Sequence, residues 1–358
     1  MNKIYLHALN LIPRLGNVNL KRLLQTFTEP ADIWSADLHQ LRETKLPDKI
    51  LYNLIRERQL INPETAWRQL EKAGVSVISF FEDKYPPLLK EIFTPPFILY
   101  LKGNPDLGNR NNLAIVGTRK NSQYSQRILA EFIPDLVSHF VIVSGLALGV
   151  DAIAHQETLN FKGKTVAVLG CGLDQIYPRA NSRLASQILD QGSSLISEYP
   201  PGTQPFKQHF PARNRLISGM SQGTLVVEGP IGSGALITAA FALEQNREVL
   251  AIPGSIFSSK SQGCNQLVQM GAKSVVSANN ILEVFNLDLT KNSNKIILKP
   301  TTREEKVIVE ILEDEPAHLD KIVIISKLDT STINATLLNL ELKGVIRNLG
   351  GQNFQINR

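Results

Sequence analysis

Within KQHFPARNRLIS, residues 207–218, stand Lys207, His209, Phe210, Arg213, Asn214 and Arg215, with Pro211 near the centre and no carboxylate. Cations of this kind neutralise phosphates. An aromatic face offers an unpaired base a stacking contact worth ~1–3 kcal/mol, whatever the base. Pro211 suits the first turn of a helix, which would place the arginines on its opening turns. The same residues admit a second reading. Phe210 can be a core residue under a loop, and the arginines can pair with Glu198 and Glu228. Composition alone leaves the two readings level.

Charge along the chain bears on the first reading. From Leu107 to Ala130 there is no Asp or Glu, while Arg110, Arg119, Lys120 and Arg127 are present. From Tyr199 to Val227 there is again none. Removing carboxylates around cations is what a polyanion site requires.

These residues must be held by something. The runs NLAIVGT, FVIVSG, TVAVLG, SLISE, TLVVEG and EVLAIPG are rich in consecutive Val, Ile and Leu, as strands buried on both faces of a parallel sheet are. Segments of helical length lie between them, at 122–138, 149–161, 180–191 and 234–246. Such alternation predicts a Rossmann-like, doubly wound α/β domain with a mostly parallel sheet. Ligands bind at the carboxyl ends of strands in such sheets. The turns at those ends are GTRKNSQYS, SGLALGVD, GCGLDQIYP, SEYPPG, EGPIGSGALITA and PGS, crowded with glycine and serine. Glycine lets backbone amides approach an anion. No segment is a good GxGxxG or GxxxxGK[ST], so neither a dinucleotide fingerprint nor a Walker loop is expected.

The chain has 358 residues, 43% hydrophobic and 20% charged, with a net charge of +5. That excludes a disordered polycation and permits a polyanionic partner. Residues 1–75 read as short helices; IPRLGNVNLKRLL resembles a helix-hairpin-helix, though plain helical packing explains it as well. Residues 76–285 hold the α/β pattern, 286–300 read as a linker, and 301–358 as a winged helix built on REEKVIVEILE, DTSTINATLLNLELKGVI and a hairpin around Gly350 and Gly351. This last unit carries seven Lys/Arg against nine Asp/Glu. A protein-interaction or regulatory role suits it better than major-groove reading. Cys171 and Cys264 read as plain small side chains, and Asp151, His155 and Asp174 as hydrogen-bonding groups in preference to a metal set. No cofactor is expected. No signal peptide and no apolar run of membrane-spanning length is legible, so the cytoplasm is expected.

AIVGTRKNSQYSQ, IVSGLALGVDAIAHQETL, TVAVLGCGLDQIYPRAN, GSSLISEYPPGTQP, FPARNRLISGMSQGTLVVEG, SGALITAAFALEQNREVLAIPGS and GCNQLVQMGA, in this order, closely resemble the DNA-processing protein A family (DprA, also called Smf). The match spans residues 80 to 285. A SAM/helix-hairpin-helix-like domain before it and a winged helix after it look like the family's longer members. The resemblance implies a non-enzymatic domain that binds single-stranded DNA without sequence preference, loads the RecA recombinase during natural transformation, and forms a homodimer through the Rossmann-like domain. It implies that Gly117, Thr118 and Arg119 of VGTR, Ser144 and Gly145 of VSGLA, Lys207 and Phe210 of K-x-x-F-P, and Arg213, Asn214 and Arg215 line the strand-binding groove. The family often has Tyr-Gly where this chain has Tyr124-Ser125. Leu267 and Val268 are candidates for subunit pairing. The alternative is a nucleotide-processing enzyme. Related phosphoribohydrolases carry PGGxGTxxE; the comparable EGPIGSGALITAAFAL has no acid after Glu228 until Glu244, which leaves Glu228 and Glu198 as candidate acid or base.

Overall fold

Val-, Ile- and Leu-rich runs with no polar face are satisfied only inside a sheet covered on both sides. The computed structural model describes residues 2–103, 111–287, 302–313, 316–342 and 345–356. Arg110 and most of the expected linker therefore lie outside the described residues. Residues 1–290 form one compact unit and 291–358 another.

The first unit opens with helices α1 (Lys3–Asn10), α2 (Gly16–Thr26), α3 (Pro30–Ser35), α4 (Leu38–Arg42), α5 (Asp48–Arg58) and α6 (Pro63–Lys72). Then come β1 (Ser76–Ser79), the short α7 (Pro87–Lys90) and β2 (Ile98–Gly103). The alternating part follows as β3 (Asn111–Val116), α8 (Gln123–Leu136), β4 (Phe140–Ser144), α9 (Val150–Asn160), β5 (Thr165–Leu169), α10 (Ser182–Asp190), β6 (Ser194–Ser197), α11 (His209–Gly219), β7 (Gly223–Val226), α12 (Gly234–Glu244) and β8 (Glu248–Ala251). It closes with α13 (Gln262–Gln269), β9 (Lys273–Ser274) and α14 (Ala278–Val284).

These strands form one nine-stranded sheet in the order β1-β2-β6-β5-β4-β3-β7-β8-β9. Pairing from β6 to β9 is parallel, and β1 and β2 are antiparallel additions at one edge. β4 and β5 are buried along their whole length. This is the Rossmann-like architecture expected of the α/β pattern. The chain winds outward from β3 through β4, β5 and β6, then returns to the other side of β3 for β7. That reversal opens a crevice above β3 and β7, where ligands of such sheets sit.

The first six helices share a hydrophobic cluster with the sheet: Leu6, Leu9, Leu51 and Leu54 pack with Tyr100, Leu169 and Leu195. Polar contacts cross the same seam. His7 Nδ1 lies 2.8 Å from Tyr100 Oη, and Asn10 Nδ2 donates to that oxygen and to Glu198 O. Burial pushes the His7 imidazole down to about 4 from its ordinary 6.5. The sign of the consequence is fixed. An unfolded chain takes the proton below about pH 6.5 and the folded one does not, so stability held by neutral His7 is complete above that value and is lost as pH falls toward 4. Thermal melts at pH 7 and pH 5 should show a larger drop for the natural protein than for His7→Gln, which keeps a hydrogen bond to Tyr100 without titrating.

The second unit contains α15 (Arg303–Glu313), β10 (Ala317–His318), α16 (Leu319–Ser326), α17 (Thr330–Leu342), β11 (Ile346–Gly350) and β12 (Asn353–Ile356). Ile308, Leu312, Ile322, Ile333, Leu337, Leu340 and Phe354 form its core. Asp329 caps α17 by accepting from Thr332 N, and Gly350 and Gly351 turn the hairpin at positive φ. This is a winged helix. The exposed side chains of α17 include Ser331, Asn334, Leu338, Asn339 and Glu341 and, among the described ones, no cation.

Candidate nucleic-acid interface

The crevice above β3 and β7 holds a cleft of about 370 Å³. The turn after β4 and the start of α9 contribute Ala147 and Asp151, and three further elements build the rest. The turn after β3 supplies Gly117, Thr118 and Arg119; the opening turns of α11 supply Phe210, Arg213 and Asn214; the start of α12 supplies Ser233, Gly234 and Thr238. Phe210, Arg213, Asn214 and Ile217 share one helical face because positions three, four and seven apart coincide on a helix. Helices α11 and α12 both enter the cleft without a side-chain cap and without an acid in the first turn. The N-terminal end of each helix dipole presents positive potential to an anion, although in α11 His209 N and Ala212 N already donate to Phe206 O and Gln208 O and Pro211 has no N–H. The Oγ of Ser233 is buried there and has no protein partner among the described residues.

Arg119 is exposed and its Cζ lies 6.0 Å from the centre of the Phe210 ring. A guanidinium and an aromatic face so placed can take a phosphate and a base side by side. Lys207, also expected in the groove, is exposed on the turn leading into α11 and does not line the cleft, whereas Asn214 does and its Nδ2 donates to Gly234 O. The aromatic surface is wider than Phe210. Tyr177 packs against the Phe210 ring at 5.2 Å, Tyr199 stacks on His209 at 4.1 Å, and Phe206 meets His209 edge-on. Phe206 and Tyr177 are about half exposed. Tyr177, Tyr199 and Phe206 were not expected in the site. The His209-Phe210 pair was legible, but Tyr177 and Tyr199 come from the turns after β5 and β6, and only the strand order brings those turns beside α11.

Four expected groove residues are placed differently. Arg213 lines the floor of the cleft, but the residue is 4% exposed and its guanidinium donates to Gly145 O and Val168 O at the ends of β4 and β5. Burial pushes it down to about 10, against the pull of Asp151, so it stays charged at neutral pH. Its role is to tie α11 to the sheet. Ser144 is buried and donates to Ile115 O. Gly145 is a glycine because of Arg213: a Cβ there would stand 2.5 Å from the guanidinium. Close packing accounts for it without any ligand. Arg215 points away from the cleft and pairs with buried Glu198, which Asn17 of α2 also reaches. So the pairing with Glu198 proposed as the alternative role for the arginines holds for Arg215.

The other acids of the rim are also engaged. The Glu228 carboxylate accepts from Ser122 N and Ser122 Oγ at 2.9 and 2.7 Å, while its carbonyl takes Thr118 N. This fixes the turn that carries Arg119. Asp151 accepts from Gly145 N and Ala147 N; burial pushes its carboxyl up, and Arg213 and those amides pull it down. His155 pairs with Thr165 Oγ1, and Asp174 accepts from Gly202 N. Each member of the conceivable metal trio thus serves a hydrogen bond within the protein. Burial pushes the Cys171 and Cys264 thiols up to about 11 and about 12, which makes them poor nucleophiles. Leu267 is a core residue and Val268 is half-buried; Met270 and Val276, on either side of edge strand β9, are exposed apolar side chains nearby.

Comparison with known proteins gives the following. Residues 76–286 match the family model described as DNA recombination-mediator protein A, and residues 297–352 match that of the DprA winged helix domain. The chain is 46% identical over 207 residues to the DNA processing protein DprA of Streptococcus pneumoniae, covering 58% of this chain and 73% of the relative. It is 34% identical to Protein Smf of Synechocystis sp., covering 98% of both chains. The X-ray structure of the Streptococcus pneumoniae protein superposes with a TM-score of 0.69 over 79% of this chain and 98% of the other, at 36% identity. A DNA processing protein A from Helicobacter pylori, described for its single-stranded DNA binding mode, superposes with a TM-score of 0.53 at 29% identity, covering 59% of this chain and 95% of the other. No helix among the described residues is long and apolar enough to cross a membrane.

Proposed function

The chain belongs to the DNA recombination-mediator protein A family, and from that premise we propose that its cleft binds single-stranded DNA without regard to sequence and that the bound strand is passed to the RecA recombinase. One observation carries the strand-binding reading. Exposed Arg119 stands over Phe210, on a rim whose carboxylates at positions 151, 198 and 228 are all buried and engaged, and exposed Lys207 precedes Phe210 by three residues on the turn into α11. Backbone amides and cations take phosphates, and the rings take bases of any identity. Phe210→Ala should weaken binding to a homopolymeric strand by about 10-fold, the effect of losing one base–ring contact. A fluorescence-anisotropy titration checks this, and equal loss on oligo-dT and oligo-dA is expected.

We place the winged helix outside the strand site. Removing residues 302–358 should change single-strand affinity by less than about twofold, because α17 offers no cationic face among its described side chains. The handover to RecA rests on family membership and is tested by asking whether the protein speeds RecA filament formation on strands already coated by a single-strand-binding protein. Pairing of two copies along the β9 edge, with Met270 and Val276 at the contact, is the dimer this reading expects, in the cytoplasm. The rival reading, nucleotide cleavage, would need a free carboxylate at a strand end. Glu198 is held by Arg215 and Asn17, and Glu228 by Ser122. Turnover of nucleoside monophosphates that Glu228→Gln abolishes would restore that rival.

A further inference from the structure

The turn after β8 carries side chains that the cleft does not explain. Phe257 is 92% exposed and Ile256 is 74% exposed, side by side at its tip. Two large apolar side chains exposed together suit a binding surface in a way that one lone exposed ring would not. The turn is nevertheless well tied. Gly254 N and Gly254 O both bond the side chain of Asn265, and Phe257 N donates to Ser255 Oγ. Ser258 N and Ser261 N close successive turns on Ser255 O and Ser258 O.

Two further bonds join it to the walls of the cleft. Tyr124 Oη, at the start of α8, donates to Pro253 O at 2.6 Å, and Gly229 N donates to Lys260 O at 2.7 Å. The turn after β8 is thus fixed to the turn that carries Arg119 and to the one that carries Ser233. It lies two strand spacings from the first, ~10 Å.

Charge says what could cover it. From Val249 to Leu282 the chain has no Asp or Glu, the longest acid-free stretch in the sequence, and it holds Lys260 and Lys273. Lys120 is exposed on the turn after β3, two strands away. Of the carboxylates in the turns after β4, β5, β6 and β7, those of Asp151, Glu198 and Glu228 are buried; Asp174, after β5, is the exposed one, and it lies on the other side of β3. An apolar ring in an acid-free, cationic setting continuous with a phosphate-binding cleft fits a nucleic-acid strand better than a protein surface.

Building on the strand-binding reading, we infer that the β8 turn is a second contact for the same strand after it leaves the cleft. Phe257 stacks on a base, Ile256 flanks it, and Lys260 takes a phosphate. The path runs over the turns of β3, β7 and β8, so only strands longer than the cleft itself reach it.

Strand length separates the two readings. The full chain is titrated with dT homopolymers of about 4 and about 16 nucleotides, the span of single-strand site sizes. Phe257→Ala should weaken the longer strand about 10-fold and leave the shorter unchanged, whereas Phe210→Ala should weaken both. A Phe257→Trp variant should lose fluorescence on adding the longer strand only. Both substitutions are at an exposed ring and leave the core intact. Phe257→Ala binding the longer strand as the natural protein does, while Phe210→Ala weakens both, overturns the second contact alone. Equal loss on both lengths, together with a changed mass by light scattering, also overturns it and makes the turn an interface between copies. A natural protein that binds neither strand overturns both readings.

Discussion

Reversing two charges, Arg119→Glu with Lys207→Glu, should lower affinity for a homopolymeric single strand by at least about 100-fold at 0.1 M salt and leave the melting temperature unchanged. Both side chains are exposed, and no ion pair among the described residues uses either of them, so the fold depends little on their charge. The effect has two parts. Each cation that meets a phosphate contributes ~0.7 to the slope of log affinity against log salt for a single strand, so the slope should flatten by about that amount per contact removed. The reversed Arg119 also places a carboxylate over the face of Phe210, where a negative charge is repelled by the ring and by the strand. Isothermal titrations at several salt concentrations measure both parts. An unchanged affinity would mean that the rim is not the strand site.

The second large effect is on stability. Glu198 is 8% exposed and joins three segments: Arg215 of α11, Asn17 of α2 and, through its carbonyl, Asn10 of α1. Glu198→Ala leaves the Arg215 guanidinium inside the protein without its counter-charge. Breaking a buried pair in this way costs ~3–5 kcal/mol, and in a unit of this size that lowers the melting temperature by about 10 °C. Replacing Glu198 by Gln, which keeps an acceptor, should cost less. Calorimetry or thermal melts on the full chain distinguish them. Because Arg215 sits on the helix that carries Phe210, a folded Glu198→Gln protein should also bind strand more weakly than its stability loss alone requires. Loss of both pair members together, as Glu198→Gln with Arg215→Met, should recover much of the stability, since no buried charge is then stranded.

Much of this was legible from residue patterns, and the reasons it stopped where it did are physical. Consecutive apolar residues in NLAIV, FVIV and TVAVL identify doubly covered parallel strands, and position after a strand identifies the ligand-bearing turns. Gly117, Thr118 and Arg119 lie in such a turn, Phe210 stood out in its cationic segment, and Asn214 came only through the family resemblance; all five line the cleft. Burial was not legible. In RNR, Arg213 and Arg215 look alike in sequence, yet helical geometry turns one under α11 onto β4 and β5 and the other toward Glu198. Nothing in a run of three residues says which face is covered. Gly145 was read as an opening for a ligand and proves to be room for that same Arg213. Ser233 and Tyr177 were missed because their place depends on which strands are neighbours, and β7 lies beside β3 although Gly223 follows Val116 by more than a hundred residues. The N-terminal helices read as a region of their own; their shared core with β2, β5 and β6 rests on apolar contacts between distant segments that no local periodicity reports.

The most direct test of the central claim is a titration of the full chain with a homopolymeric single strand and with a duplex of equal length, across a range of salt concentrations. Tighter binding to the single strand is expected, with a log–log salt slope of about −2, as Arg119, Lys207 and Lys120 release counterions. A slope near zero, or a duplex bound as tightly as the single strand, would contradict it.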